Sequence, residues 1–507
     1  MTTAAPAKAL RRIVVMNRNE SLEKGWRSRS FGAAGLLAER ALVVKGVQLE
    51  SAVYPIPIFG RKGYDAPLAS AHLEYGGKQS VGSSSDSAYA MVAHFDDQEA
   101  IDRLRREKPE SVIGVYCDLA IEAAPAYCNT GADGTFQDVI KVLGTGKQGG
   151  LDGSGVRLAI MDTGIAGSHI DSKATKLEKR IIYGYKTSVK DYKGGTSPID
   201  HGTMVAFDTS LAAPQADLLD YAVVPTQGEP WQAFLSDMLA AYADLIELMK
   251  KKPGPMVVNN SWALFDRRAD APVGSPQNYS ANPDHPYNQI VRTLVQAGAD
   301  VLFAAGNCGK DCPDGRCGQK DIGPGASIHG ANSHPSVITI AAVTVQGIRL
   351  GYSSQGPGGL VDRKPDIAAY SHFKGSGVYA ADGGTSAASP VAAGLVAALR
   401  QKLPQISPGA MKSLLQRTAT PSGGAWTYDL GYGIVNFEKA LEAAKTLRTP
   451  SAARATTKAV KATAAKKKLR KPAAKKPAGP WMQERNSAEN LAAQIAFIQK
   501  TNSGKKR

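Results

Sequence analysis

The sequence predicts an α/β protein: a doubly wound, mostly parallel sheet with helices on both faces, preceded by a small α/β domain and followed by a basic disordered tail. Three observations predict it. Short continuous apolar runs at 156–161, 256–258, 301–304 and 337–343 read as strands buried on both faces. Helical patterns lie between them, and such alternation is expected of a parallel sheet covered by helices. The basic excess is local: residues 448–507 hold 16 Lys/Arg and two acids, so nearly all of the net charge of +16 sits there.

Taken in order, residues 1–135 read as an accessory α/β domain. A β-like run at 13–16 is followed by a Gly/Ser-rich loop at 60–85 and a strand at 87–95. A helix at 97–106 places Ile101 and Leu104 on one face, and a second strand at 112–116 continues through 118–122. Residues 136–447 carry the buried strands. The clearest helix there is 231–250, with Phe234, Met238, Tyr242, Leu245 and Met249 on one stripe. Helices at 395–403 and 408–416 follow. Residues 448–480 are built almost entirely from Ala, Lys, Thr, Pro and Arg, with almost nothing large and apolar to bury, so they cannot offset the entropy of ordering. Residues 481–507 hold a short amphipathic helix, with Leu491, Ile495 and Ile498 three to four apart.

Composition excludes several classes. No run of about 18 apolar residues exists, so a membrane span is not expected. The first 30 residues lack an apolar stretch of signal-peptide length, which points to a cytoplasmic location. Five cysteines in 507 residues exclude a disulfide scaffold. Cys308, Cys312 and Cys317 fit no zinc ribbon or finger, and reduced, packed thiols are the expectation. A disulfide within the trio would brace the loop holding Asn307, and Cys117 with Cys128 stays open. The tail reads either as a bare linker or as an electrostatic contact for nucleic acid or another polyanion. It has no aromatic residue over 449–480 on which a base could stack.

Three side chains carry the chemistry. Asp162 ends the first buried strand in Met161-Asp162-Thr163-Gly164, and ligand sites in such folds lie at the carboxyl ends of strands. His201 stands in Asp200-His201-Gly202-Thr203, before a helix. Ser386 stands in Gly383-Gly384-Thr385-Ser386-Ala387-Ala388-Ser389-Pro390, which opens another. A hydroxyl nucleophile needs a base, imidazole suits that task near neutral pH, and a buried carboxylate fixes its tautomer. The negative oxygen of the tetrahedral intermediate needs donors. The Ser386 N–H at a helix start is one, and the Asn307 amide, just after a buried strand, is well placed to be the second. An aspartic-protease half-site is disfavoured because no second Asp-Thr/Ser-Gly occurs. Ser386 also lies outside any Gly-x-Ser-x-Gly elbow. Gly144-Thr145-Gly146-Lys147 lacks phosphate-loop spacing and reads as a turn.

In the order Asp, His, Asn, Ser, these segments resemble the subtilisin-like serine proteases (subtilases) over about residues 136–447. Val257-Val258-Asn259-Asn260-Ser261-Trp262 resembles the strand that pairs with substrate backbone, and 352–356 and 364–369 match further family segments. The resemblance implies a serine endopeptidase that works through an acyl-enzyme, with Asp162, His201 and Ser386 as triad and Asn307 at the oxyanion hole. It implies a protein or peptide substrate bound along Ser261, Trp262 and Ala263, and no required cofactor. Structural calcium is compatible with it, although no ligand set can be assigned. Residues 87–125 look like the second half of a propeptide whose tail lies in the cleft, with self-cleavage expected within 124–135. Three positions depart from the family pattern. Met204 replaces a second His, Ala387 replaces Met, and Ser261-Trp262-Ala263 replaces Ser-x-Gly. Trp262 is expected to narrow or line the specificity pocket, which argues against broad degradative specificity, and the missing secretion signal suits a dedicated intracellular processing role better than nutrient digestion.

Overall fold

A computed structural model describes residues 9–30, 32, 44–58, 88–123, 131–145, 150–171, 177–187, 189–421 and 424–446. The chain divides into Met1–Ser451 and Ala452–Arg507, and all described residues belong to the first unit. The tail, the candidate helix at 488–498 and the loop at 60–85 lie outside the described residues.

The N-terminal region builds an antiparallel sheet from β1 (Leu10–Met16), β2 (Val47–Leu49), β3 (Ile56–Ile58), β4 (Ala88–Phe95) and β5 (Val112–Cys117). The order is β2-β4-β1-β5, and β3 also pairs with β4. Two helices described there, Glu20–Ser28 and Gln98–Glu107, start where short polar side chains satisfy the first free amides. Asn19 accepts from the Leu22 N–H at 2.9 Å and Asp97 from Ala100 at 2.8 Å. Ile101 and Leu104 are buried, as their spacing requires.

The second strand does not continue through 118–122. It stops at Cys117, and β6 (Ala120–Ala123) leaves for a separate sheet. Buried Asp118 pins the break. Its carboxylate accepts from Arg11 at 2.7 Å and from the Ser236 N–H and hydroxyl at 2.9 and 2.8 Å.

The larger sheet contains β7 (Arg157–Asp162), β8 (Ile181–Lys186) and β9 (Asp217–Ala222). After the two-residue β10 (Ala233–Phe234) come β11 (Met256–Asn260), the short β12 (Trp262–Ala263), β13 (Asp300–Ala304), β14 (Ile338–Val343) and β15 (Ile367–Tyr370). Seven of these strands pair in parallel in the order β15-β14-β13-β11-β7-β9-β8. The doubly wound class predicted above therefore holds. Side chains alternate between two cores, as the strand period of two demands. Ala159, Met161, Val258 and Phe303 face one core, while Leu158, Ile160, Val257 and Leu302 face the other. Both faces being buried explains why these strands read as unbroken apolar runs.

The helix expected at 231–250 runs from Leu235 to Lys251. Phe234 is extended at φ −128° and belongs to β10, and the Asp237 carboxylate accepts its N–H at 2.8 Å. The apolar stripe thus ran one residue past the true start. The helix expected at 395–403 is the end of a longer one, Thr385–Lys402. Strands β8, β9 and β15 and the helices Glu20–Ser28 and Pro286–Gln296 were not anticipated. Among the described residues no helix is long and apolar enough to cross a membrane.

Candidate active site

Asp162 is the last residue of β7, an interior strand, and is fully buried. Its Oδ1 accepts from the Thr163 N–H and from His201 Nδ1, each at 2.8 Å. His201 opens the helix His201–Thr209, with Asp200 as cap accepting its N–H at 2.8 Å. The flanking residues hold this pair in place. The Gly202 N–H donates to Thr163 Oγ1 at 2.8 Å, and Thr203 Oγ1 accepts from the Ala166 N–H at 3.0 Å. Gly202 must be glycine, since a Cβ there would stand 2.5 Å from the Gly164 carbonyl oxygen. The two motifs are therefore one hydrogen-bonded unit. His201 Nε2 is buried and has no hydrogen-bond partner, as expected of an acceptor awaiting a proton donor.

Ser386 is the second residue of the helix Thr385–Lys402. The turn before it is fixed by Gly384, at φ 77°, whose N–H donates to the Tyr352 hydroxyl at 3.0 Å. Ser386 Oγ donates to the Ser261 carbonyl at 3.1 Å, and Ser261 Oγ donates to the Ser386 carbonyl at 2.9 Å. The structure thus joins His201 to Asp162 and Ser386 to Ser261. No hydrogen bond links Ser386 Oγ to His201 Nε2.

Asn307 stands three residues past the end of β13, after Gly306 at φ 104°. Its Oδ1 accepts from the Thr385 N–H and hydroxyl, both at 2.9 Å, and Thr385 Oγ1 accepts from the Gly306 N–H at 3.0 Å. These bonds tie Oδ1 to the start of the serine helix and so orient the amide, whose Nδ2 is its donor end. Thr163 and Thr385 thus support the site from within the Asp and Ser motifs, roles that nothing in their spacing marks.

The cleft contains the chain's own β6. It lies between β10 and β12 as the middle strand of an antiparallel sheet, with Ala233 opposite Ile121, Trp262 opposite Ala123 and Ala263 opposite Glu122. This is strand addition, the manner in which extended peptides bind a sheet edge. A cavity of about 480 Å³ beside it is lined by His201, Ile121, Glu122, Trp231 and Tyr379.

Two expectations need correction. The Trp262 ring does not line an open pocket. It is 1% exposed, packs on Tyr287 and Phe303 at 5.7 and 5.4 Å, and donates through Nε1 to Asn260 at 3.3 Å. Alternation along β12 sends the ring into the core while the backbone faces β6. The cysteines are not all reduced. Cys308 and Cys317 form a disulfide with Cα atoms 5.8 Å apart, and Cys312 is disulfide-bonded as well. The loop turns back on itself after Asn307, where the Asp314 N–H donates to the Asn307 carbonyl at 2.9 Å, and this brings the two thiols within bonding reach. Cys117 is free and buried, and Cys128 lies outside the described residues. Among the described residues no group of three or more His, Cys, Asp or Glu is arranged to hold a metal ion.

A helix-borne serine, a carboxylate-bound histidine and an anchored amide at the carboxyl edge of a parallel sheet are the parts of a serine hydrolase. The Subtilase family model, Peptidase_S8, matches residues 153–434. Subtilisin DY of Bacillus licheniformis is 29% identical over 58% of this chain and 93% of its own. Subtilisin E of Bacillus subtilis (strain 168) is 26% identical over 58% and 67%. The crystal structure of fervidolysin from Fervidobacterium pennivorans, a keratinolytic enzyme related to subtilisin, superposes with a TM-score of 0.54 at 18% identity. That match covers 86% of this chain and 61% of fervidolysin, and it speaks to the fold alone. The chain belongs to the subtilase family and is a serine endopeptidase.

Proposed function

We propose that Ser386 is the nucleophile, His201 the general base and acid, and Asp162 the group that orients His201. The reading rests above all on the 2.8 Å bond between His201 Nδ1 and a fully buried Asp162, with Nε2 left as acceptor. Turning the Ser386 hydroxyl from Ser261 towards His201 passes its proton to Nε2 as Oγ attacks the peptide carbonyl. The oxyanion takes hydrogen bonds from Asn307 Nδ2 and the Ser386 N–H, at a helix start that favours negative charge. His201 then protonates the leaving amine, and water repeats the sequence on the acyl-enzyme. Substrate backbone lies where β6 lies, along Ser261, Trp262 and Ala263. Ser386→Ala should lose on the order of 10⁶ in turnover, the scale known for a subtilisin triad. A fluorophosphonate that fails to label Ser386 in active protein would sink the assignment.

We propose further that residues 1–135 act as a propeptide-like inhibitor of a peptidase domain at 136–447, with self-processing within 124–135. The position of β6 in the cleft supports this. Wild type and Ser386→Ala running at one full size would count against it. The basic tail at 448–480 is proposed as a polyanion contact, testable by salt-dependent retention on heparin before and after deletion. For location two readings compete. One is the cytoplasmic processing protease anticipated above. The other is an oxidising compartment, favoured by the Cys308–Cys317 bridge. Fractionation with thiol alkylation separates them.

A further inference from the structure

Arg316 sits inside the loop closed by the Cys308–Cys317 bridge, far in sequence from the strand it meets. Its guanidinium is divided between two tasks. Nε and Nη2 donate to Asp314 at 2.9 and 3.0 Å, and the planar group lies 4.2 Å over the Phe265 ring. That edge and that face are fixed by the enzyme itself. The remaining nitrogen, Nη1, turns to β6. It donates to the Ala123 carbonyl at 2.8 Å and to the Glu122 carboxylate at 3.1 Å.

The register shows what Glu122 stands in for. Ala123 pairs with Trp262 and Glu122 with Ala263, antiparallel. The next rung of β11–β12 is Ser261, whose carbonyl accepts the Ser386 hydroxyl at 3.1 Å. A residue opposite Ser261 therefore presents its carbonyl to the nucleophile, and Glu122 occupies the place two residues before it. We propose that Arg316 is a specificity-determining residue that selects peptides with an acidic side chain at the third residue before the scissile bond. The same contact latches β6 in the cleft. This rests on the protease reading and on β6 lying as a substrate does.

Charge and exposure set the size of the effect. A second cation nearby, Arg268, is already paired with Asp266 at 2.5 Å. The Arg316 and Glu122 side chains are 33% and 49% exposed, so solvent screens the pair. An ion pair so placed supports about a three- to fivefold preference for Glu over Gln. A Lys in that place would face the guanidinium and should lose about tenfold against Glu, because repulsion is added to the lost bond. The bond to the Ala123 carbonyl is blind to side chains and should raise affinity for every peptide alike.

The test uses the full chain with Arg316→Gln, Arg316→Glu, Glu122→Lys and the Arg316→Glu/Glu122→Lys pair. Each is assayed on fluorogenic peptides that differ only by Glu, Gln or Lys at the third residue before the scissile bond. Wild type should favour Glu over Lys about tenfold in kcat/KM, Arg316→Gln should bring the ratio near one, and Arg316→Glu should invert it. On the Gln peptide, Glu122→Lys should raise basal hydrolysis several-fold by loosening β6, and adding Arg316→Glu should bring the rate back towards wild type. A Glu-to-Lys ratio that survives Arg316→Gln overturns the assignment. So does a double reversal that stays as open as Glu122→Lys alone. Arg316→Gln keeps the test alive if Arg316→Glu, placed beside Asp314, fails to fold. Wild type that cleaves no peptide and takes no fluorophosphonate defeats the protease reading itself, and this inference with it.

Discussion

Gly202 offers the sharpest test of how the catalytic pair is held. It follows His201, and a Cβ on it would sit 2.5 Å from the Gly164 carbonyl oxygen, 2.9 Å from its nitrogen and 3.1 Å from its carbonyl carbon. All three are backbone atoms, so no side chain can swing aside. Ordinary contact needs about 3.4 Å or more, so Gly202→Ala must push the start of the His201 helix from the Asp162 strand by nearly 1 Å. That shift opens the Gly202–Thr163 bond of 2.8 Å and misaims His201, whose ring is held to Asp162 at the same distance. Misplacement by about 1 Å can cost about 10²-fold in rate, or about 2.7 kcal/mol in transition-state stabilisation. The overpacking itself should cost about 1–3 kcal/mol of stability. The assay is kcat/KM on a fluorogenic peptide alongside a thermal melt, both on the full chain. A folded Gly202→Ala protein within threefold of wild-type activity would refute the claim that this close approach positions His201.

Burial holds the Asp220 carboxyl up at about 6 despite bonds from Gly195, Ile165 and Tyr192 that pull it down. A folded value above the unfolded one contributes stability below about pH 4 that is lost as pH rises through about 6. Asp220→Asn should therefore flatten the fall in stability between pH 4 and 6, a difference of up to about 3 kcal/mol in denaturant titrations at each pH. An unchanged slope would contradict this. Replacing Cys308 and Cys317 by Ser should cost about 2.5–3 kcal/mol by releasing a short closed loop, read as the shift in urea midpoint. A midpoint that does not move would mean that the loop is braced without its bridge. Trp262→Ala should lose about 3–5 kcal/mol of stability, as for other large aromatic truncations in a core. Altered cleavage preference with an unchanged melting temperature would instead mean that the ring lines the substrate cleft.

The sequence alone determined the chemical groups and the elements that carry them. Asp162, His201, Asn307 and Ser386 each stand at a strand end or helix start, and such boundaries are encoded locally by an apolar run, a capping residue or a glycine turn. The parallel sheet was legible for the same reason, since strands buried on both faces need continuous apolar runs. Strands β8 and β9 escaped because Tyr183, Tyr185, Asp217 and Asp220 interrupt the apolar signal at the sheet's edge. Only the tertiary structure decided the register in which β6 joins β10 and β12, which way the Trp262 ring turns, that Cys308 meets Cys317, and that Arg316 meets Glu122 across 194 residues. These are pairings between distant segments. They follow from register and from which side of a strand faces the core, and neither leaves a periodic mark in the chain.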